Sequence, residues 1–164
     1  MVAARADGVP VVQRFSGGGT VYLDRGVLNY SFIMPRMLLD KLSPPSASPA
    51  TVRYIDFFRG IVIRALNSVA EGFSASGTSD VIFHGRKVNG NAQRIAGNLV
   101  LHHGTLMTRC PLAAIERYLP LPPNRPNVSH ADFVTGLVEE GMQFPLAKLK
   151  AELVREYYQT IQAT

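Results

Sequence analysis

The stretch DVIFHGRKVNGNAQRIAGNLVLHHGTLM, residues 80 to 107, constrains the fold more than any other part of this chain. It carries two reversal signals, at His84 to Arg86 and at Gly97 and Asn98, with short runs of β-forming residues between them. Three consecutive strands with so little chain between them can only be antiparallel neighbours, because a parallel pair needs a crossover of a dozen residues or more. Helical signals lie on either side. Thr51 is placed to cap a helix in which Val52, Ile55, Phe58, Val62, Leu66 and Val69 share one face, with Gly72 as its terminator. Short strands are expected at 9–15, 20–23 and 28–34, a proline- and serine-rich loop at 42–50, and a short helix around Pro111 to Tyr118. A second loop covers 120–128. Ser129 and Asp132 form a capping-box-like start for a helix ending near Gly141, and a last helix from about Pro145 aligns Leu146, Leu149, Leu153, Tyr157 and Ile161. Hairpins interspersed with helices, without regular βαβ units, predict an α+β domain with a mostly antiparallel sheet flanked by helices.

Composition narrows the function classes. With 164 residues, 46% apolar and 18% charged, the chain is long enough for one domain with a substantial core. No apolar run reaches the length of a membrane span, and the opening MVAARADG lacks the apolar centre of a secretion signal, so a cytoplasmic protein without a membrane partner is expected. One cysteine, Cys110, excludes an internal disulfide and a cysteine-rich metal site. The formal charge of +5 comes from dispersed residues, mostly arginine, with no basic tract, which argues against a nucleic-acid partner. Lys87 is the only lysine between Lys41 and Lys148.

Three segments can carry chemistry. In QRFSGGGTVYLD, Gly17, Gly18 and Gly19 form either a tight turn or a loop whose backbone amides cradle an anion; the segment lacks the Gly-Lys-Ser/Thr ending of a P-loop and is not a dinucleotide fingerprint. In GRKVNGNAQR, Lys87 is either a solvated hairpin lysine or a compact cation beside small residues, suited to a phosphate or carboxylate. In HHGT, His102 and His103 on one strand point to opposite faces, so they do not share a metal.

Together RFSGGGTVYLD with LNYSF, SD…GRKVNGNAQR and HHGTLM resemble the lipoate-protein ligase family, in that order and at that spacing. The resemblance implies residues 1–164 as a biotin/lipoate ligase-type catalytic domain, akin in fold to class II aminoacyl-tRNA synthetases, and partial at its N-terminus. It implies ATP with Mg²⁺ and lipoate, or octanoate, as ligands, and lipoyl-AMP as the intermediate. A lysine of a lipoyl domain of a 2-oxoacid dehydrogenase complex, or of the glycine-cleavage H protein, would be the acceptor. Arg14, Ser16, Gly17, Gly18 and Gly19 match the loop along the acyl-adenylate, Lys87 the lysine at its carboxylate and α-phosphate, and Asn91, Gly104 and Thr105 residues lining the same cavity. Gln13, Leu23 and Ser79 stand where many members have arginine, histidine and asparagine. Two rival readings stay open: an octanoyl or lipoyl transferase working through a cysteine thioester, and a non-catalytic acyl- or nucleotide-binding module. The first is disfavoured because Cys110 lies beyond HHGTLM, where it reads as structural.

Overall fold

The computed structural model describes residues 2–121, 127–143 and 145–162. A single five-stranded antiparallel sheet forms its centre. Its strands are β1 (Val27–Pro35), β2 (Phe73–Ser76), β3 (Asp80–Phe83), β4 (Arg86–Ala96) and β5 (Leu99–Met107), in the spatial order β1-β5-β4-β3-β2. The helices are α1 (Val2–Ala6), α2 (Arg36–Leu42), α3 (Ala50–Asn67), α4 (Leu112–Tyr118), α5 (His130–Phe133) and α6 (Leu146–Gln162). The expected α+β architecture is therefore present. The three strands of 80–107 fall where the reversals put them, and the first turn has φ of 47° at His84 and 77° at Gly85, the two positive values of a two-residue hairpin.

One face of the sheet is covered by helices. On α3 the residues Phe58, Ile61, Val62, Ala65 and Leu66 are buried, and on α6 Leu149 and Leu153 join the same core. Phe32 of β1 stacks on Phe58 at 5.7 Å and on Tyr157 at 5.0 Å, which ties the strand to both helices. Strand alternation puts Phe32, Val100, His102 and Leu106 on this covered face, while Asn29, Ser31, Ala92, His103 and Thr105 point to the other. None of the described helices is long and apolar enough to cross a membrane.

Several local expectations give way to tertiary context. The strands expected at 9–15 and 20–23 are irregular chain, with Val12 and Phe15 87% and 86% exposed. β-forming composition makes a strand only where a neighbouring strand supplies a ladder, and none lies alongside this segment among the described residues. Thr51 sits inside α3 and does not cap it. Pro49 occupies the N-cap position, and its carbonyl accepts the amides of Val52 and Arg53. Nor does Gly72 end that helix, which stops at Asn67; the Asn67 side chain then accepts the amides of Gly72 and Phe73 and turns the chain into β2. Neither β2 nor α2 was expected.

The helix expected from Ser129 to Gly141 stops at Phe133. Beyond it the amides of Thr135, Leu137 and Val138 donate to the carbonyls of Lys87, Met107 and Thr108, so the sheet takes the donors a longer helix would need. Ser129 Oγ donates to the Asp132 carboxylate at 2.6 Å instead of capping the backbone. The loop expected at 120–128 falls mostly outside the described residues.

Candidate functional site

The open face of β4 and β5 gathers the chemical groups of all three segments. Thr105 pairs with Gly90, and His103 with Ala92, so these four side-chain positions form a patch facing away from α3. Lys87 reaches it because β4 bulges opposite Val81 and Ile82, which resets the alternation between Lys87 and Gly90. Its ammonium then lies across Gly90, where a Cβ would stand 3.0 Å from Nζ. The Asp80 carboxylate, from β3, holds that ammonium at 2.7 Å. Both side chains remain about a third exposed, so the pair is open to an incoming ligand.

The glycine loop lies over the other end of the patch. Arg14 Nη2 donates to the carbonyls of Gly17 at 2.8 Å and Gly19 at 2.7 Å, and its Nε donates to Ser16 Oγ at 3.1 Å. The loop is thus wound around one guanidinium. Gly18 has φ of 99°, which favours glycine, and a Cβ there would stand 2.9 Å from Arg14 Nη2 and press on the guanidinium that holds the loop. A Cβ on Gly17 or Gly19 would meet nothing within 4 Å. The space over those two residues is free for a ligand to approach the main chain.

Two links fasten the loop to the sheet. Ser16 Oγ and His103 Nε2 are 2.6 Å apart, and Arg94 Nη1 donates to the carbonyl of Phe15 at 2.7 Å. Burial, reinforced by the Arg14 charge, holds the His103 imidazole below its ordinary pKa and so favours the neutral ring. His103 therefore faces the candidate site and His102 the core, as their alternation on one strand requires.

The site residues expected from the sequence are accordingly divided. Arg14, Ser16, Gly17, Gly18, Gly19, Lys87 and Thr105 lie on the open side. The side chain of Asn91 and the α-hydrogens of Gly104 lie on the helix-covered side, where Asn91 and Tyr30 meet across Gly104. A Cβ on Gly104 would be 2.2 Å from Tyr30 Oη and 2.5 Å from Asn91 Oδ1, so this glycine is the clearance that lets the two touch. Asp80 and Tyr30 were not singled out from the sequence. A carboxylate seven residues before a lone lysine, and a strand glycine with a tyrosine strand nearby, were the available signals.

Cys110 stands elsewhere, beside α4. Its thiol is pushed up to about 11 by burial and then by Glu139, whose carboxylate also accepts the Cys110 amide at 3.0 Å. Such a thiol is protonated and a poor nucleophile near neutrality. A wide recess of about 490 Å³, lined by Val138, Gly141, Met142, Gln143 and Pro145, also lies apart from the glycine loop and contributes no titratable side chain.

The motif order, the sheet and the loop agree with a match to the family described as the lipoyl protein ligase A/B catalytic domain, over residues 1–158. The chain belongs to that family. It is 37% identical over 101 residues to lipoate-protein ligase LplJ of Bacillus subtilis, covering 62% of this chain and 27% of that relative. The chain thus spans about a quarter of that relative's length. In fold it is similar to the bi-partite lipoate protein ligase studied with its E2 lipoyl domain from Thermoplasma acidophilum, with a TM-score of 0.79 and 18% identity over 98% of this chain and 61% of that one. A lipoate-protein ligase A structure bound with ATP gives a TM-score of 0.75 at 18% identity, covering 97% and 62%. At such identities the structures speak for the fold. Within a lipoyl protein ligase A/B catalytic domain, the open face of β4 and β5 is where the loop, the lone lysine and Thr105 come together.

Proposed function

We propose that this chain is the catalytic part of a lipoate-protein ligase. In the first step a lipoate carboxylate oxygen attacks the α-phosphorus of ATP and pyrophosphate leaves, giving lipoyl-AMP. In the second, a lysine amine of a lipoyl domain or of the glycine-cleavage H protein attacks the acyl carbonyl, AMP departs and the amine loses a proton. The observation that supports this reading is the placement of Lys87 and the Arg14-bound glycine loop on one open face, with Gly90, Ala92 and Thr105 between them.

Two anions must meet in the first step. A fixed ammonium at Lys87 offsets the repulsion between carboxylate and α-phosphate and stabilises the charge that develops on the phosphoryl oxygens. The open main chain at Gly17 and Gly19 gives phosphate oxygens access to backbone amides. Arg14 holds the loop in shape, and the contact between Ser16 and His103 holds it against β5. Thr105 borders the same patch, whereas Asn91 and Gly104 contribute by shaping the strands beneath it. No three His, Cys, Asp or Glu side chains converge on a metal-sized site among the described residues. Mg²⁺ in this reading arrives with the phosphates of ATP, which commonly supply much of its coordination together with water.

The test is mass spectrometry of an apo lipoyl domain incubated with the chain, ATP·Mg²⁺ and lipoate, in parallel with preformed lipoyl-AMP. A mass gain with both is expected. A gain with lipoyl-AMP alone restricts the activity to transfer, and no gain with either overturns the ligase reading.

A further inference from the structure

Directly behind the candidate site, the helix-covered face carries a cluster of polar groups that neither step of the reaction uses. Asn91 Nδ2 donates to the carbonyl of Ser79 at 2.7 Å and to Asn89 Oδ1 at 2.8 Å. Those two donations fix which end of the Asn91 amide is which. Its Oδ1 then accepts from Tyr30 Oη at 2.5 Å and from His102 Nε2 at 3.1 Å. Asn89 Nδ2 completes the set by donating to Tyr30 Oη at 2.9 Å and to the carbonyl of Thr105 at 3.0 Å. Every amide proton of both asparagines has an acceptor.

The cluster leads out to the catalytic face. Ser79 is held twice by Asn91, through the side chain and through the backbone amide at 3.2 Å, and the next residue is Asp80, whose carboxylate holds Lys87. The ion pair itself is about a third exposed, and such a pair contributes little on its own against the rotamer entropy of a lysine stem. A well-placed ammonium therefore depends on a carboxylate whose backbone cannot drift. The core has no need of these groups for burial alone, since apolar side chains of similar shape can replace hydrogen-bonded polar groups at little cost.

We propose that Tyr30, acting through Asn91 and Ser79, is a positioning residue for the Asp80–Lys87 pair. The hydroxyl organises the Asn89 and Asn91 amides, the Asn91 amide fixes Ser79, and the location of the Lys87 ammonium on the open face follows. This inference rests on the reading of Lys87 as the group that contacts the acyl-adenylate.

The experiment is a double-mutant cycle in the full chain, with calorimetric binding of a non-hydrolysable lipoyl-AMP analogue and melting temperature as the readouts. Tyr30→Phe is expected to weaken binding about five- to tenfold with Lys87 present, and by less than about twofold in the Lys87→Ala background. The melting temperature is expected to fall equally in both backgrounds. The same loss of affinity with and without Lys87, or no loss in either, overturns the positioning role while leaving the ligase reading intact. No binding by the unaltered chain, or unchanged binding in Lys87→Ala, overturns the reading of Lys87 and this proposal with it. His102→Leu removes the other donor to Asn91 Oδ1 and is expected to show a smaller loss with the same dependence on Lys87. This second variant keeps the cycle decisive if Tyr30→Phe does not fold.

Discussion

The two faces of the central sheet differ in how they treat polar groups. On the helix-covered face, Tyr30, Asn89, Asn91 and His102 form a hydrogen-bonded set in which burial pushes the Tyr30 hydroxyl pKa up and lowers that of His102 to about 3, so both stay uncharged across ordinary pH. On the open face, Lys87 and Asp80 form a partly solvated ion pair, and the glycine loop is held by Arg14, Arg94 and a serine–histidine contact. In the proposed ligase reading, the contrast separates two requirements of a site for anionic ligands. Rigidity comes from the side that stays uncharged near neutrality, and charge from the side a ligand can reach.

The sharpest way to break this division is at Lys87. Lys87→Ala is expected to reduce acyl-adenylate formation about 10²- to 10³-fold, comparable to removing one fixed electrostatic contact at a developing charge. Its unfolding free energy should change by less than about 1 kcal/mol, since an ion pair of this exposure contributes little. Pyrophosphate release and urea denaturation measured on the same preparation check both halves. A large stability loss would mean that the open face also carries the fold.

Gly104→Ala probes the other side. Its Cβ would drive apart Tyr30 and Asn91, and the expected cost is about 2–3 kcal/mol of stability from overpacking. A midpoint in urea close to that of the unaltered chain would show that the covered face yields more easily than its hydrogen bonds imply.

Acid exposes the same contrast through His102. Its folded pKa lies below the ordinary 6.5, so below pH 6.5 the unfolded chain takes up a proton that the folded chain refuses. This contribution to stability is complete above pH 6.5 and is lost as pH falls toward 3, at up to about 1.4 kcal/mol per pH unit. Between pH 6.5 and 5 that amounts to about 2 kcal/mol. Carboxylates elsewhere also titrate under acid, so the quantity to measure is the difference in slope between the unaltered chain and His102→Gln, whose stability should fall less steeply. The smallest expected effect is at Cys110. Because its thiol stays protonated, Cys110→Ala should leave lipoyl transfer within about twofold of the unaltered chain.

Much of the sheet was legible because its signals are local. His84 and Gly85 mark a turn from their own backbone preferences, and Leu149, Leu153 and Tyr157 mark the inner face of α6 by spacing alone. The segments that misled depend on distant partners. No local pattern around Val134 reveals that the amides of Thr135, Leu137 and Val138 will be claimed by Lys87, Met107 and Thr108. Residues 9–15 have the composition of a strand and lack a neighbour to pair with. The candidate site was legible as three motifs, but their partition between faces was not. That partition depends on the bulge beside Val81 and on a register that brings Tyr30, Gly104 and Asn91 into line across three strands.

The hydroxyl of Tyr157 has a further consequence, at the sheet's rim. β1 is an edge strand, and its alternation, which sends Gly26 O and Arg36 N toward the 98–109 side, turns the Ile33 carbonyl outward. Ile33 is 61% exposed, so the rim combines an apolar side chain with an outward carbonyl of the kind a foreign strand could use. Tyr157 of α6 donates to that carbonyl at 3.1 Å. The helix that closes the core thereby also takes up one outward acceptor of β1, and strand addition at that position would have to displace a tyrosine hydroxyl.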